Sequence, residues 1–234
     1  MAIPSENHAT APGPIDLLVF DLDGTLIDSK QDLVQSVNAV RMRMHLPTLP
    51  EETIAAYVGR GVVVLMKRAL GDTVTDETVA EAVEFFLEYY RDHMLDHTLP
   101  YPGVAETLEA LHGRRMAVLT NKPVGFSQAI LSGLGLSRYF VQVYGGNSFE
   151  RKKPDPVGLI TLMHEANAPA ERTMIVGDSD TDVLTGRNAG AWTCGVTYGL
   201  APQTLESSPP DFLLDDLRDL PALLDGHRHE AAAR

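Results

Sequence analysis

Five short apolar runs recur along this 234-residue chain, and none of them alternates polar with apolar residues. They cover residues 17–20, 116–119, 141–144, 174–176 and 194–196. A strand with one wet face alternates, whereas a strand covered on both faces reads as an unbroken apolar run. Helical spacing fills the gaps between them. Val104, Leu108 and Leu111 fall on one helical face, and so do Phe126, Ile130 and Leu134. Strands alternating with helices predict an α/β, doubly wound parallel sheet.

Residues 28–100 break this rhythm with helical periodicity and no convincing strand. Leu33, Val37, Val40 and Met44 make one stripe, Leu65, Met66 and Ala69 a second, and Val79, Val83, Phe86 and Tyr90 a third. Leu-Pro pairs at 46–47, 49–50 and 99–100 punctuate the segment, because the residue before proline avoids helical backbone. The pattern predicts a small all-helical domain inserted after the first core strand. Residues 62–66 are apolar enough to pass for a strand. The expected division is a flexible leader at 1–14, a core at 15–27 and 101–225, the helical insert at 28–100, and a flexible tail at 226–234.

In open parallel sheets, ligands bind outside the carboxyl ends of the strands. Asp21, Asp23 and Gly24 follow the first apolar run, and Thr120, Asn121 and Lys122 the second. Lys152, Lys153 and Asp155 come shortly after the third, and Asp178, Asp180 and Asp182 after the fourth. Gathering Asp21, Asp23 and Asp178 without a cation is costly, since two unit charges ~4 Å apart at an effective dielectric of about 20 repel by roughly 4 kcal/mol. A hard divalent ion removes that cost. Mg²⁺ suits best, because it takes one or two carboxylates, keeps waters and accepts a phosphate oxygen. Thr120 and Asn121 can donate hydrogen bonds to phosphoryl oxygens, and Gly24 leaves its backbone N–H open to the same group.

The formal net charge is −13. Such a surface repels nucleic acid and anionic membranes unless a basic run intervenes, and none is seen. The one cysteine, Cys194, permits no intrachain disulfide and fits a reducing compartment, so a cytoplasmic location is expected. The N-terminal residues do not pattern as a signal peptide, and no apolar run approaches the ~20 residues that span a bilayer. The expected partner is a small phosphorylated metabolite; oligomeric state is not legible.

The ordered set DLDGT, a threonine after the second strand, Lys-Pro-Asp-Pro and Gly-Asp-Ser-Asp-Thr-Asp resembles the haloacid dehalogenase-like superfamily of phosphohydrolases. FDLDGTLIDS, LTNKP, KKPDP, VGDSDTD and the stretch YVGRGVVVLMKRAL are similar to its phosphoglycolate phosphatase branch. The resemblance implies a Rossmann-like core with an inserted helical cap domain that closes over the site. It implies that Asp21 is the nucleophile that becomes an aspartyl phosphate, and that Asp23 is the general acid and base. Asp21, Asp178 and the backbone carbonyl of Asp23 would hold Mg²⁺. Thr120 and Lys153 would hold the phosphoryl oxygens, while Asp182 orients Lys153 or sits behind the metal. Thr185-Gly186 departs from the paired alanines expected after Asp182. A phosphosugar mutase of the same superfamily would use the same residues, a pyrophosphatase or nucleotidase with the same cap is a further alternative, and a phospho-accepting signalling module is the rival from another class.

Other residues read more blandly. Asp28 and Ser29 pattern as helix N-caps, and Asp155 and Asp180 as loop or helix-start residues. His93 and His97 stand four apart, a spacing that can bind zinc, but a solvated helix face is the better reading. His227 and His229 lie in the tail and read as inert, and Cys194 reads as a buried small hydrophobe. Arg60, between Gly59 and Gly61, leans toward receiving a substrate carboxylate; Lys67 and Arg68 read as solvated.

Overall fold

A computed structural model describes the backbone of residues 14–71 and 73–231, and the side chains of these up to residue 225. In chain order the elements are β1 (Leu17–Phe20), β2 (Ile27–Asp28), α1 (Lys30–Arg43), α2 (Glu51–Ala55), α3 (Val62–Leu70) and α4 (Asp76–His93). There follow β3 (Leu99–Pro100), α5 (Val104–Ala110), β4 (Arg115–Leu119), α6 (Val124–Gly133), β5 (Gln142–Tyr144) and α7 (Val157–Ala166). The chain continues through β6 (Thr173–Gly177), α8 (Asp180–Ala189), β7 (Trp192–Val196), β8 (Phe212–Leu214) and α9 (Leu220–Ala231).

Six of the strands form one sheet in the order β5-β4-β1-β6-β7-β8, and every pairing in it is parallel. β1 lies between β4 and β6, with Leu17 opposite both Arg115 and Thr173. The unbroken apolar runs follow from burial on both faces. Leu18 and Phe20 face one cluster with Met116, Val118, Met174 and Val176, while Leu17 and Val19 face another with Ala117, Leu119 and Ile175. Successive strand residues point to opposite faces, so a run sandwiched between two apolar layers must be apolar throughout. α8 packs tightly on the sheet at Gly186, where a Cβ would stand 2.4 Å from the Thr193 methyl. That close approach explains glycine at this position.

β8 is not foreseen by the sequence. It has three residues, and Leu213 at its centre is exposed, so an edge strand this short leaves almost no periodic signal. At the other end, α9 carries the backbone to Ala231, past the expected flexible boundary at Gly226. Leu217, Leu220 and Leu224 anchor its start in the core, and the residues that follow are mostly tolerant of helix. Residues 1–13 of the expected leader and residues 232–234 lie outside the described residues, as do the side chains of His227 and His229.

All four helices α1–α4 fall between β2 and β3, an inserted all-helical cap on the parallel core. Residues 62–66 belong to α3 rather than to a strand. The three predicted stripes meet: Val37, Val40, Met66, Ala69, Val79 and Phe86 join one buried cluster. One feature of the segment differs from expectation. Its two ends pair as an antiparallel ladder, Ile27 with Pro100 and Asp28 with Leu99, where the sequence showed no strand because two residues carry no period.

Beside this ladder lies Asp32, 1% exposed. Its carboxylate accepts from the His97 N–H at 3.0 and 3.1 Å, the Thr98 N–H at 2.8 Å and the Thr98 hydroxyl at 2.7 Å. The first turn of α1 is thus bound to the strand that returns from α4. Removing a buried acceptor strands its donors at full desolvation cost. We expect Asp32→Ala to lower unfolding free energy by about 3 kcal/mol, measured by urea denaturation; a loss under about 1 kcal/mol would show the latch to be dispensable.

Candidate active site

β1 delivers the first acids. The Asp21 N–H continues the sheet ladder to the Val176 carbonyl at 2.9 Å. Its Oδ1 accepts from the Leu22 N–H at 2.7 Å and stands 3.0 Å from the Lys153 ammonium. The chain then turns tightly, with the Leu26 and Ile27 N–H groups both reaching the Leu22 carbonyl at 3.0 and 3.1 Å. Gly24 takes φ +86 in this turn, and a Cβ there would stand 2.3 Å from Asp178 Oδ2. Glycine is required both for the left-handed backbone and for the space the acid occupies.

Three other loops meet it. After β4, the Thr120 N–H binds the Tyr144 carbonyl at 3.0 Å and the Thr120 hydroxyl accepts from the Lys122 N–H at 3.3 Å. Lys153 reaches in between β5 and α7 and donates to Asp182 Oδ1 at 2.6 Å. Asp182 is held from behind, since its Oδ2 accepts from the Ser179 hydroxyl at 2.8 Å and the Ser179 N–H at 3.2 Å as α8 begins. Asp178 Oδ2 accepts from the Leu200 and Ala201 N–H groups at 2.7 and 3.0 Å.

Asp21, Asp178 and Asp182 are all buried, and each offers an oxygen within 4.8 Å of the others. Lys153 pairs with Asp21 and Asp182, and backbone N–H groups serve Asp178. Burial, opposed by Lys153, raises the Asp21 carboxyl to about 6. Burial, then the charges of Asp182 and Asp21, raises Asp178 to about 8. On Lys153, burial works against the charge, yet Asp182 and Asp21 prevail and hold the ammonium above its ordinary value. A trio of buried oxygen donors short of positive charge fits a hard divalent cation.

Asp23 faces another way. Its Oδ1 accepts from the Ser29 hydroxyl at 2.5 Å, and its carboxylate pairs with the Lys122 ammonium at 2.9 and 3.1 Å. Ser29 was expected to cap α1; no side-chain cap bond forms, and its hydroxyl positions Asp23 instead. Asp28 does accept from the Lys30 N–H at 3.2 Å, and Asp155 from the Val157 N–H at 3.0 Å. A cavity opens over Asp21, Asp23 and Thr120, roofed by Leu33, Val62, Leu65 and Phe86 of the insert.

The loop at 59–61 reaches the site, but through its backbone. The Asn121 amide donates to the Gly59 carbonyl at 2.8 Å and to the Lys153 carbonyl at 3.1 Å. Arg60 does not line the cavity; its side chain is 54% exposed and lies 3.4 Å from Asp180. The local reason is that Gly59 and Gly61, at φ +104 and +87, turn backbone inward and the side chain between them outward. α4 ends at His93, so His97 is off the helix and the zinc spacing does not exist in space. His93 pairs with Asp96 at 2.7 Å and stacks on Tyr89. Cys194 is buried in β7, and burial, aided by Asp211, pushes its thiol up to about 12.

The sequence reading gave no site role to Lys122 or Tyr90, and to Ser29 only that of a helix cap. Lys122 was visible beside Thr120 and Asn121, and its pairing with Asp23 could have been sought there. Tyr90 was hidden in a helical stripe.

Buried carboxylates at the switch point of a parallel sheet, under a helical roof, make this a carboxylate-centred α/β enzyme site. The family model for haloacid dehalogenase-like hydrolase matches residues 18–196. Phosphoglycolate phosphatase of Vibrio parahaemolyticus is 41% identical over 215 residues, covering 88% of this chain and 94% of the relative. That of Pseudomonas syringae pv. tomato is 38% identical over 217 residues, 89% and 80% of the two chains. A crystal structure described as a predicted phosphoglycolate phosphatase from Haemophilus somnus superposes with a TM-score of 0.85 at 32% identity, covering 89% of this chain and 97% of its own. The chain belongs to the haloacid dehalogenase-like hydrolase family.

The raised acids carry a pH consequence. Below about 3.8, the ordinary carboxyl value, Asp21 and Asp178 are neutral both folded and unfolded and do not bias folding. As pH climbs toward and through about 6 and about 8, the unfolded carboxyls ionise freely while the folded ones must ionise against burial, so stability falls. In EDTA, the Tm is expected to drop across this window. Asp178→Asn should flatten the drop near its upper end, as should saturating Mg²⁺; a slope that neither treatment alters would clear these acids of the effect.

Proposed function

We propose that this chain, a phosphatase of the haloacid dehalogenase-like family, hydrolyses 2-phosphoglycolate to glycolate and phosphate through an aspartyl-phosphate intermediate. The observation that carries the reaction is the meeting of Asp21, Thr120, Lys153 and Asp178 at one sheet edge. The substrate rests on relatives of that name at 38–41% identity over most of the chain.

Asp21 attacks phosphorus with a carboxylate oxygen, forming an acyl phosphate as the bond to the leaving alkoxide breaks. Asp23 gives its proton to that alkoxide, then takes one from the water that attacks the acyl phosphate and returns Asp21 to a carboxylate. Lys153 and Thr120 hold phosphoryl oxygens as charge spreads across them. Asp182 keeps Lys153 in place, supported by its 2.6 Å bond. Asn121 lines the cavity with its side-chain amide spent on the Gly59 and Lys153 carbonyls. The Gly24 N–H, expected to be open to the phosphoryl group, donates instead to the Ile27 carbonyl at 3.0 Å, because the tight turn after Leu22 folds it back. Asp21, Asp178 and the backbone carbonyl of Asp23 would hold Mg²⁺, which when bound supplies positive charge beside the phosphoryl oxygens. The helical roof of Leu33, Val62, Leu65 and Phe86 excludes water that would otherwise compete for those donors.

Phosphate release from 2-phosphoglycolate tests this reading. Asp21→Asn should lose at least about a thousandfold in kcat while still unfolding in one cooperative transition, and EDTA should abolish turnover until Mg²⁺ is restored. Near-wild-type release from Asp21→Asn would refute the nucleophile.

A further inference from the structure

We propose that Lys122 and Tyr90 form the end of the cavity that receives an anionic leaving group, the ammonium and the phenol hydroxyl together binding its carboxylate while the phosphoryl group rests at Asp21. The inference deepens the phosphoglycolate reading and rests on it.

A carboxylate entering this cavity meets mostly hydrocarbon. Leu33, Val62, Leu65, Phe86 and Phe126 wall it, and among the described residues lining it Lys122 is the one cation. An anion taken from water into such surroundings without a partner is strongly disfavoured. Arg60, the cation the sequence offered for this task, turns outward. Lys122 is 8% exposed. Its ammonium contacts both Asp23 oxygens from one side and stands 4.6 Å from the centre of the Tyr90 ring. An ammonium has three protons; two contacts go to the Asp23 oxygens, which leaves the third proton on the Tyr90 side.

Tyr90 supplies the second observation. It comes from α4 of the insert, is 2% exposed and lines the same cavity. Its buried hydroxyl makes no hydrogen bond of sound geometry; the polar neighbour it does have is the Lys122 ammonium, itself held by both Asp23 oxygens. Native structures rarely leave a buried hydroxyl in this state, and a missing ligand is one standard reason. Burial pushes the phenol up to about 12, so it stays a donor at neutral pH. Phe86 and Phe126 pack on its ring at 5.4 and 5.6 Å between centroids and fix its position. Core and insert would each contribute one donor, so this recognition exists only when the two lie together.

The test compares 2-phosphoglycolate with 2-hydroxyethyl phosphate, which has CH₂OH where the former has its carboxylate. Wild-type enzyme with Mg²⁺ should favour 2-phosphoglycolate at least about tenfold in kcat/KM. Lys122→Met should erase that preference, and because Lys122 also holds Asp23, it should lower kcat for both compounds as well. Tyr90→Phe leaves the Lys122–Asp23 pair in place and decides the matter if Lys122→Met fails to fold. Its loss should fall on KM and be about fivefold larger for 2-phosphoglycolate than for 2-hydroxyethyl phosphate. Equal losses for the two compounds in Tyr90→Phe, or no wild-type preference, would overturn the subsite and leave the phosphatase standing. Wild-type enzyme that cleaves other phosphate monoesters but not 2-phosphoglycolate would overturn the substrate reading, and the subsite with it.

Discussion

Negative charge held out of water is the constraint around which this fold is arranged. Asp21, Asp178 and Asp182 crowd within 4.8 Å of one another at the sheet edge, and Lys153 touches two of them. Most of the remaining compensation comes from backbone, with the Ser179 hydroxyl on Asp182. Leu200 and Ala201 turn their N–H groups onto Asp178, and Leu22 turns its own onto Asp21. Such an arrangement tolerates little slack, because a displaced donor leaves an acid both buried and unpaired. The scaffold answers with a sheet packed on both faces and β1 at its centre, so that loops from β1, β4 and β6 issue from one rigid edge.

Small residues let those loops close on each other. Gly24 and Gly199 both press against Asp178, where a Cβ would stand 2.3 and 2.2 Å from its atoms. Gly146 lies against the Asn121 backbone, with a Cβ position 2.2 Å from its carbonyl oxygen. The site is therefore assembled as much by missing side chains as by present ones. Asn121 then joins the two halves, donating to Gly59 in the insert and to the Lys153 carbonyl in the core.

The parts that were legible in the sequence share a physical cause. Runs such as 174–176 and the stripe of Leu33, Val37 and Val40 answer to burial, and burial imposes a period. Acids placed just after such runs could be assigned to one edge, because parallel strands all end on the same side. What stayed hidden lacks a period or depends on partners distant along the chain. β8, β2 and β3 are too short to show alternation. Ser29 beside a helix start looks like a cap until Asp23 is seen six residues back and folded against it. The direction of Arg60 turned on the φ values of the glycines around it, which residue type alone leaves open. Asp32 gave no sign, since its donors lie at His97 and Thr98, on the far side of the insert.

The paired strands β2 and β3 have a mechanical meaning. The polypeptide leaves the core and comes back to it at one spot, and Asp32 stitches the outgoing and returning segments together. Two independent tethers would let the four helices twist and slide over the sheet. A single stitched stalk would restrict any relative movement mainly to a swing about one axis, like a door on one hinge, in which Tyr90 and the Gly59 carbonyl would approach or leave Lys122 and Asn121 in the same stroke.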